Sequence, residues 1–171
     1  MSREGEPELR VAAADDADFL VAVLYRADEG LLRAQGDWDE EAFLRESRQR
    51  TYEEVAGRVE ESTTYVIQVD GADVGRLRLV RPGHEVYVAG IQILPEYQEQ
   101  GIGTRVLGMV AAEAVAGRLP VTLHVGKQNP RARRLYERLG FKVVEDQGKR
   151  ERMATDAPAA DFEGGVAIPD P

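Results

Sequence analysis

The sequence predicts a single domain of the α/β (α+β) class, with a mixed, mostly antiparallel sheet of about seven strands flanked by about four helices. Three observations support this prediction. Apolar and β-branched runs bounded by turn residues alternate with helical patterns along the chain. Hairpin turns join three successive strands in the middle of the chain. A strand, a glycine turn and a long apolar helix then follow one another directly.

The first element is a short strand at Glu8–Ala13. Asp15 or Asp16 then offers an N-cap for a helix, because a short side-chain oxygen can accept from the free N–H groups of a first turn. The apolar residues of this helix share one face, which consists of Leu20, Val23, Leu24 and Ala27. We therefore expect the helix to pack against the sheet through that face.

A loop between Gly30 and Gly36 separates this helix from a second helical region. Asp37 or Asp39 can cap the second region, which runs towards Glu61 with a candidate break near Arg50-Thr51. Three strands follow, joined by turns at Asp70-Gly71 and Pro82-Gly83, and they span Thr63–Val69, Asp73–Val80 and Glu85–Ile93.

The stretch from Gln98 to Thr104 carries two glycines, at positions 101 and 103, just before a helix that runs to Gly117. Glycine lets the backbone turn tightly and approach a ligand closely. The helix that follows directs its free N–H groups and the positive end of its dipole at this turn. The arrangement predicts an anion cradle suited to a phosphate or pyrophosphate.

The remaining elements follow the same alternation of strand and helix. Asn129-Pro130 begins a helix, because proline is favoured at the first helical position. The other elements are strands, expected at Val121–Val125, Phe141–Val144 and Gly148–Met153. We expect residues 1–154 to form one domain and residues 155–171, rich in Ala, Pro, Gly and Asp, to form a flexible tail in which Phe162, Val166 or Ile168 can dock.

Composition excludes several classes of function. The chain of 171 residues has no cysteine, which excludes disulfides, thiolate metal sites and a cysteine nucleophile; we expect no metal and a cytoplasmic location. The polar stretch from Met1 to Arg10 does not resemble a secretory signal, and no apolar run is long enough to span a membrane, so a membrane partner is not expected. The net charge of −9 argues against nucleic-acid binding.

Charge is spread unevenly along the chain. Residues 1–62 carry 17 acidic and 8 basic side chains, whereas residues 126–152 carry 4 acidic and 9 basic ones. One interpretation is that the two regions form two solvated faces. The alternative is an acidic half that faces a cationic substrate and a basic half that faces an anionic cofactor.

Two motifs in the second half resemble the GNAT superfamily of acyl-coenzyme A-dependent N-acetyltransferases. Gln98 to Gly103, Gln-Glu-Gln-Gly-Ile-Gly, is similar to that family's Gln/Arg-x-x-Gly-x-Gly/Ala pyrophosphate loop. Asn129 to Phe141 is similar to its Asn-x-x-Ala-x-x-Leu-Tyr-x-x-x-Gly-Phe segment. The resemblance covers residues 64–154 well and residues 1–63 only in their order of elements. Glu99 stands where many members carry glycine, and a carboxylate there repels a pyrophosphate unless it points to solvent.

The resemblance implies a GNAT-like fold whose sheet splays apart between the strands Glu85–Ile93 and Val121–Val125. Backbone groups left unpaired in the splay can bond the pantetheine amides as an added strand would, and Gly90 is a candidate bulge that opens it. The acyl donor implied is acetyl-coenzyme A, bound by Ile91, Ile93, Gln98, Glu99, Gln100, Gly101, Ile102, Gly103, Thr104 and Asn129. Core packing for Ile91 and helix capping for Asn129 are the competing roles.

The implied chemistry needs an acid and a base. Tyr136 is expected to protonate the departing thiolate, with a half-buried core tyrosine as the alternative. Strand alternation places Glu85 on one face with Tyr87, Ala89, Ile91 and Ile93, which makes Glu85 the candidate base; a water wire is the alternative. The acceptor amine is expected to meet residues from the first helix and its loop, namely Tyr25, Glu29 and Trp38.

The function expected from these features is direct transfer of acetyl from acetyl-coenzyme A to a primary amine, small and cationic or at a peptide terminus. The alternative is a non-catalytic acyl-coenzyme A-binding regulatory module that retains the cradle without turnover. The sequence leaves the acceptor and the oligomeric state open, with a homodimer among the alternatives.

Overall fold

The computed structural model describes residues 5–155 and 168–169. Its strands are β1 (Pro7–Val11), β2 (Ser62–Val69), β3 (Ala72–Val80), β4 (Val86–Ile93), β5 (Val121–Gly126), β6 (Lys142–Asp146) and β7 (Arg150–Thr155). Its α-helices are α1 (Ala17–Arg33), α2 (Glu40–Val55), α3 (Ile102–Gly117) and α4 (Pro130–Arg138), with short 3-10 turns at Ala14–Asp16 and Pro95–Tyr97. The predicted fold class is confirmed.

The seven described strands form one sheet in the order β1-β2-β3-β4-β5-β7-β6. Neighbours pair antiparallel except at its centre, where β4 and β5 run parallel. The larger core lies between one sheet face and helices α3 and α4, and includes Leu77, Val88, Val110, Leu123 and Met153. Helices α1 and α2 cover the opposite face, where a smaller cluster contains Ala12, Leu20 and Val66.

Two helix boundaries differ from the sequence-based expectation. Helix α1 continues through Gly30 to Arg33, so the predicted loop starting at Gly30 is wrong. An ion pair between Glu29 and Arg33, one turn apart, supports this last turn and offsets part of the helical cost of glycine. Helix α2 is unbroken at Arg50-Thr51 and ends at Val55, because the chain then turns through Gly57, whose φ of 70° is left-handed.

A β-bulge divides β4 in its middle. Arg78 of β3 pairs with Gly90 and Leu79 pairs with Val88, so Ala89 is an extra residue on β4. The expected bulge beside Gly90 is therefore confirmed. Pairing between β4 and β5 includes Val86, Tyr87 and Val88 and stops where the bulge begins. The predicted splay is confirmed, and the β5 side of residues 89–93 is left open.

The end of the chain packs back on the domain. Ile168 contacts the larger core, and the Tyr65 hydroxyl donates a 3.1 Å hydrogen bond to the carbonyl of Pro169. Docking of Ile168 is thus confirmed, whereas Phe162, Val166 and most of the predicted flexible tail lie outside the described residues. Within the described part of the chain, the helices are too short or too polar to cross a membrane.

Candidate active site

A cavity of about 1220 Å³ opens at the splay between β4 and β5. Its walls come from the open half of β4, the glycine loop, the first turn of α3, helix α4 and the last turns of α1. This volume is somewhat above the usual range for small-molecule sites, which runs to about 1,000 Å³. The two sequence motifs, which lie on opposite sides of β5 in the chain, therefore line one cavity.

The glycine loop presents backbone donors to this cavity. Gly101 has a φ of 75°, in the left-handed region that glycine adopts without strain, and helix α3 begins directly after it. The first intrahelical bond comes from the Arg105 N–H, and no described side chain caps the helix. The N–H groups of Ile102, Gly103 and Thr104 are thus left for an anion, which they would meet at the positive end of the helix dipole.

Side chains of the loop hold its shape. Gln98 Nε2 donates to the Ile93 carbonyl at 2.9 Å, and Gln100 Nε2 donates to the Glu96 carbonyl at 3.0 Å. Gln100 does not line the cavity, whereas every other residue predicted to bind the cofactor does, including Ile91, Ile93 and Asn129. The backbone N–H groups, rather than the glutamine side-chain amides, are therefore the donors of the loop that are left without a bond in the part of the protein that the structure describes.

Glu99 is compatible with an anion in the loop. Its φ of 63° is left-handed, which explains why glycine suits this position. Its side chain is 80% exposed and lies 3.4 Å from the Arg131 guanidinium. The carboxylate thus points to solvent and is partly neutralised, as the expectation required.

Helix α4 contributes Asn129 and Tyr136. The Asn129 side chain accepts from the Ala132 N–H at 3.1 Å, so its N-cap role is confirmed while the residue also lines the cavity. Tyr136 is 9% exposed and packs edge-on against Phe141, yet no described group hydrogen bonds its hydroxyl. Burial and the charge of Asp28 raise the pKa of Tyr136 to about 12, which keeps the hydroxyl protonated at neutral pH.

Comparison with known proteins agrees with this geometry. Residues 29–141 match the Acetyltransferase (GNAT) family. The chain belongs to the GNAT family. Its sequence is 36% identical over 83 residues to spermidine N(1)-acetyltransferase of Escherichia coli K12, covering 46% of this chain and 45% of that protein. It is 35% identical over 101 residues to an N-alpha-acetyltransferase of Sulfurisphaera tokodaii, covering 49% of this chain and 59% of that protein.

The matched region thus spans about half the length of these curated GNAT relatives. Among solved structures, the fold is similar to that of PaiA N-acetyltransferase from Thermoplasma acidophilum in complex with coenzyme A. The TM-score is 0.71 at 24% identity, covering 91% of this chain and 99% of that one. This likeness shows that the two chains share a fold.

The cavity of this GNAT chain has the groups that coenzyme A requires. The uncapped start of α3 suits a pyrophosphate, and the open edge of β4 suits the amides of a pantetheine arm. At Gly103 an added Cβ would have its nearest neighbour, Leu135 Cδ2, at 4.0 Å, so the loop leaves room for a ligand. When acetylated, coenzyme A would supply the activated acyl thioester.

Glu85 does not share a face with Ile91 and Ile93, and that part of the prediction is wrong. The bulge at Ala89 changes the phase of the strand, so Ile91 and Ile93 pack on the same core as Val88. The Glu85 carboxylate instead accepts from Thr122 Oγ1 at 2.7 Å and from the Arg152 guanidinium. It does not line the cavity.

The structure brings Tyr25, Glu29 and Trp38 together, but outside the cavity. The rings of Tyr25 and Trp38 stack with centroids 5.9 Å apart. Arg33 donates to Glu29 at 2.8 Å, and its guanidinium carbon lies 5.2 Å from the Trp38 ring centroid. An arginine of the chain itself therefore occupies the place expected for a cationic substrate.

The residues of α1 that line the cavity are instead Ala27, Asp28, Gly30 and Leu31. Sequence reasoning missed these residues because it ended the helix at Gly30, which concealed that Asp28 and Leu31 lie one turn apart on the same helix. Glycine inside a helical pattern, followed by two leucines and a basic residue four positions after Glu29, was the available signal.

Proposed function

We propose that this chain is an acetyl-coenzyme A-dependent N-acetyltransferase that transfers acetyl directly to a primary amine, small and cationic. One observation carries the proposal: the uncapped start of α3, the open edge of β4 and the Tyr136 hydroxyl line the same cavity. The names of its relatives, among them a spermidine N(1)-acetyltransferase, support the reaction class.

In this proposal, different groups that line the cavity bind the cofactor and assist acetyl transfer. Backbone N–H groups at Ile102, Gly103 and Thr104 hold the pyrophosphate, and the unpaired edge of β4 holds and aligns the pantetheine arm. An N–H group on this edge, at Ile91 or Ile93, stabilises negative charge on the thioester oxygen as the amine attacks. Tyr136, kept protonated by its raised pKa, donates a proton to the departing sulfur.

The proposed acceptor class follows from charge. The first 62 residues carry 17 acidic and 8 basic side chains and supply the α1 wall of the cavity. A negative field concentrates cations and raises their encounter rate, an effect that salt weakens. A small polyamine or another cationic primary amine is thus favoured over an anionic acceptor.

The test combines binding with turnover. Calorimetry should show binding of acetyl-coenzyme A, and thiol release should occur with cationic primary amines and decrease as salt is raised. Binding without turnover across a panel of cationic, neutral and acidic amines would instead identify a non-catalytic acyl-coenzyme A-binding module. Absence of binding would contradict the proposal altogether.

A further inference from the structure

Asp28 is a half-buried carboxylate in the α1 wall of the cavity. Two other carboxylates line the cavity, and both differ from it. Glu99 is 80% exposed at its side chain, and Glu137 lies 3.0 Å from the Arg133 guanidinium. Among the described residues, none forms an ion pair or a hydrogen bond with Asp28. An unpaired carboxylate away from bulk water is costly, which marks it as a functional candidate.

The charged and titratable groups that face Asp28 are Arg76 of β3 and Tyr136 of α4. Arg76 is 5% exposed and already pairs with Glu54 of α2 at 3.2 Å. Arg76 attracts the charge of Asp28 without bonding it, and burial prevails, so that the pKa of Asp28 lies above its ordinary value. The carboxylate is therefore retained in the wall without a bonded partner in the protein.

A second unsatisfied group lines the same cavity, on β4. Gln92 lines the cavity, and its buried Oε1 has no hydrogen-bond donor among the described residues. Asp28 and Gln92 Oε1 are both acceptors. A primary ammonium carries three donors and one positive charge, so it complements this pair, whereas a carboxylate or a carbonyl group does not.

We propose that Asp28 binds the acceptor's ammonium group and takes its proton, with Gln92 orienting the nitrogen. The nitrogen then forms a bond to the acetyl carbon as the bond from that carbon to sulfur breaks. Converting an ammonium to an amide releases two protons. One leaves through Asp28 to solvent, and the other replaces the proton that Tyr136 gives to sulfur. This assignment rests on the proposed function. It makes Asp28 the general base, a role that Glu85 does not fill because it lies outside the cavity.

Asp28→Asn tests this assignment, with Asp18→Asn as the matched control because Asp18 is exposed on the same helix. In Asp28→Asn, kcat/KM for a primary diamine should fall by about a hundred-fold or more, as for loss of a general base. Calorimetric binding of 1,4-diaminobutane to the coenzyme A-loaded protein should weaken at least about ten-fold, and coenzyme A binding itself should not change. The control should match the parent in all three measurements.

The outcomes separate the two proposals. Unchanged turnover and diamine binding in Asp28→Asn would overturn the role of Asp28 while leaving the transferase intact. A parent protein that binds coenzyme A but acetylates no amine would refute the transferase, and diamine binding that depends on Asp28 would then still support an ammonium site. Weakened coenzyme A binding in Asp28→Asn would show general damage to the cavity and would also count against the assignment.

Discussion

Asp28 of α1 and Tyr136 of α4 line one cavity, and the charge of Asp28 adds to burial in raising the pKa of Tyr136. The pairing keeps a proton on the phenol while the carboxylate remains a proton acceptor. In a transferase it would place the acid beside the departing sulfur and the base beside the incoming nitrogen.

Tyr136→Phe removes the hydroxyl and keeps the buried ring. We expect kcat to fall by about a hundred- to ten-thousand-fold, since proton donation is lost. Affinity for acetyl-coenzyme A by calorimetry should stay within about two-fold of the parent, because no described group bonds the hydroxyl. Tyr52→Phe, on the exposed side of α2, is the control and should leave both kcat and the affinity for acetyl-coenzyme A unchanged. A variant with undiminished single-turnover rate would assign Tyr136 to packing.

Gly103→Val should abolish tight coenzyme A binding without unfolding the protein. The new side chain has open space, with Leu135 Cδ2 at 4.0 Å from its Cβ, and that space is where the ligand must approach the loop. Calorimetry should show a dissociation constant for coenzyme A that is at least about ten-fold higher than that of the parent. Ala116→Val, exposed on the same helix, controls for β-branching, and circular dichroism checks the fold. Parental affinity would mean that the anion lies elsewhere.

Gly30→Leu should narrow the acceptor half of the cavity. A Cβ at Gly30 would meet no heavy atom within 4 Å, and the residue lines the cavity within α1. Leucine is also a better helix former than glycine by up to about 1 kcal/mol, so the melting temperature should not fall. KM should rise more for bulky amines than for small ones, while Ala22→Leu on the exposed side of α1 leaves KM unchanged. If Gly30→Leu raised KM by the same factor for bulky and for small amines, this prediction would be contradicted.

Arg134 is the basic residue of α4 expected to meet the 3′-phosphate of coenzyme A. Arg131 lies against Glu99, and Arg133 pairs with Glu137 and Glu151, whereas Arg134 and Arg138 line the cavity with no side-chain partner among the described residues. Of these two, Arg134 lies one helical turn nearer to Arg131 and the glycine loop. Arg134→Ala should bind coenzyme A and 3′-dephospho-coenzyme A with equal affinity, while the parent and Arg48→Ala prefer the former. A preference retained by Arg134→Ala would place the phosphate elsewhere.

Asp28→Asn should make the protein more stable at neutral pH. Burial raises the folded-state pKa of Asp28 above its unfolded value. Between these two pKa values the folded state binds more protons than the unfolded state, so the free energy of unfolding falls as pH rises through this range. Asparagine removes this penalty. Thermal melts should show a higher melting temperature than the parent at pH 7 and a smaller difference at acid pH. A lower melting temperature at pH 7 would indicate a structural role for Asp28.

The sequence was sufficient for the fold class and for the place of the glycine loop and of helix α4 at the cavity. Glycines at fixed spacing before a helix, and Asn-Pro before a second one, act through local backbone geometry, which can be read from neighbouring residues. Asn129 and Gly101 therefore lie where they were expected.

The α1 side of the cavity could not be predicted in the same way. Which carboxylate lines the cavity depends on where α1 ends and on how this helix packs against the sheet, because Asp28 lines the cavity whereas Glu29, its neighbour, is bonded by Arg33 outside it. The prediction that Glu85 shares a face with Ile91 and Ile93 was wrong because it assumed that side chains alternate without interruption along β4. The apolar pattern Val86, Val88, Ile91, Ile93 skips a step between Val88 and Ile91, and that irregularity was the signal for a bulge.

Because the cleft opens at the bulge at Ala89, it depends on the number of residues in β4 rather than on which residue stands at position 89. Exchanges at this position alter a side chain but leave the paired stretch of β4 one residue longer than that of β3, so the splay persists. Loss of a single codon between Val88 and Ile91 is different in kind, because it would remove the extra residue and restore regular alternation, in which Val86, Val88, Ile91 and Ile93 still face the core. Sequence drift can therefore reshape the lining of this site gradually, whereas an in-frame deletion here would remove the opening in one step and leave the packing beneath it in place.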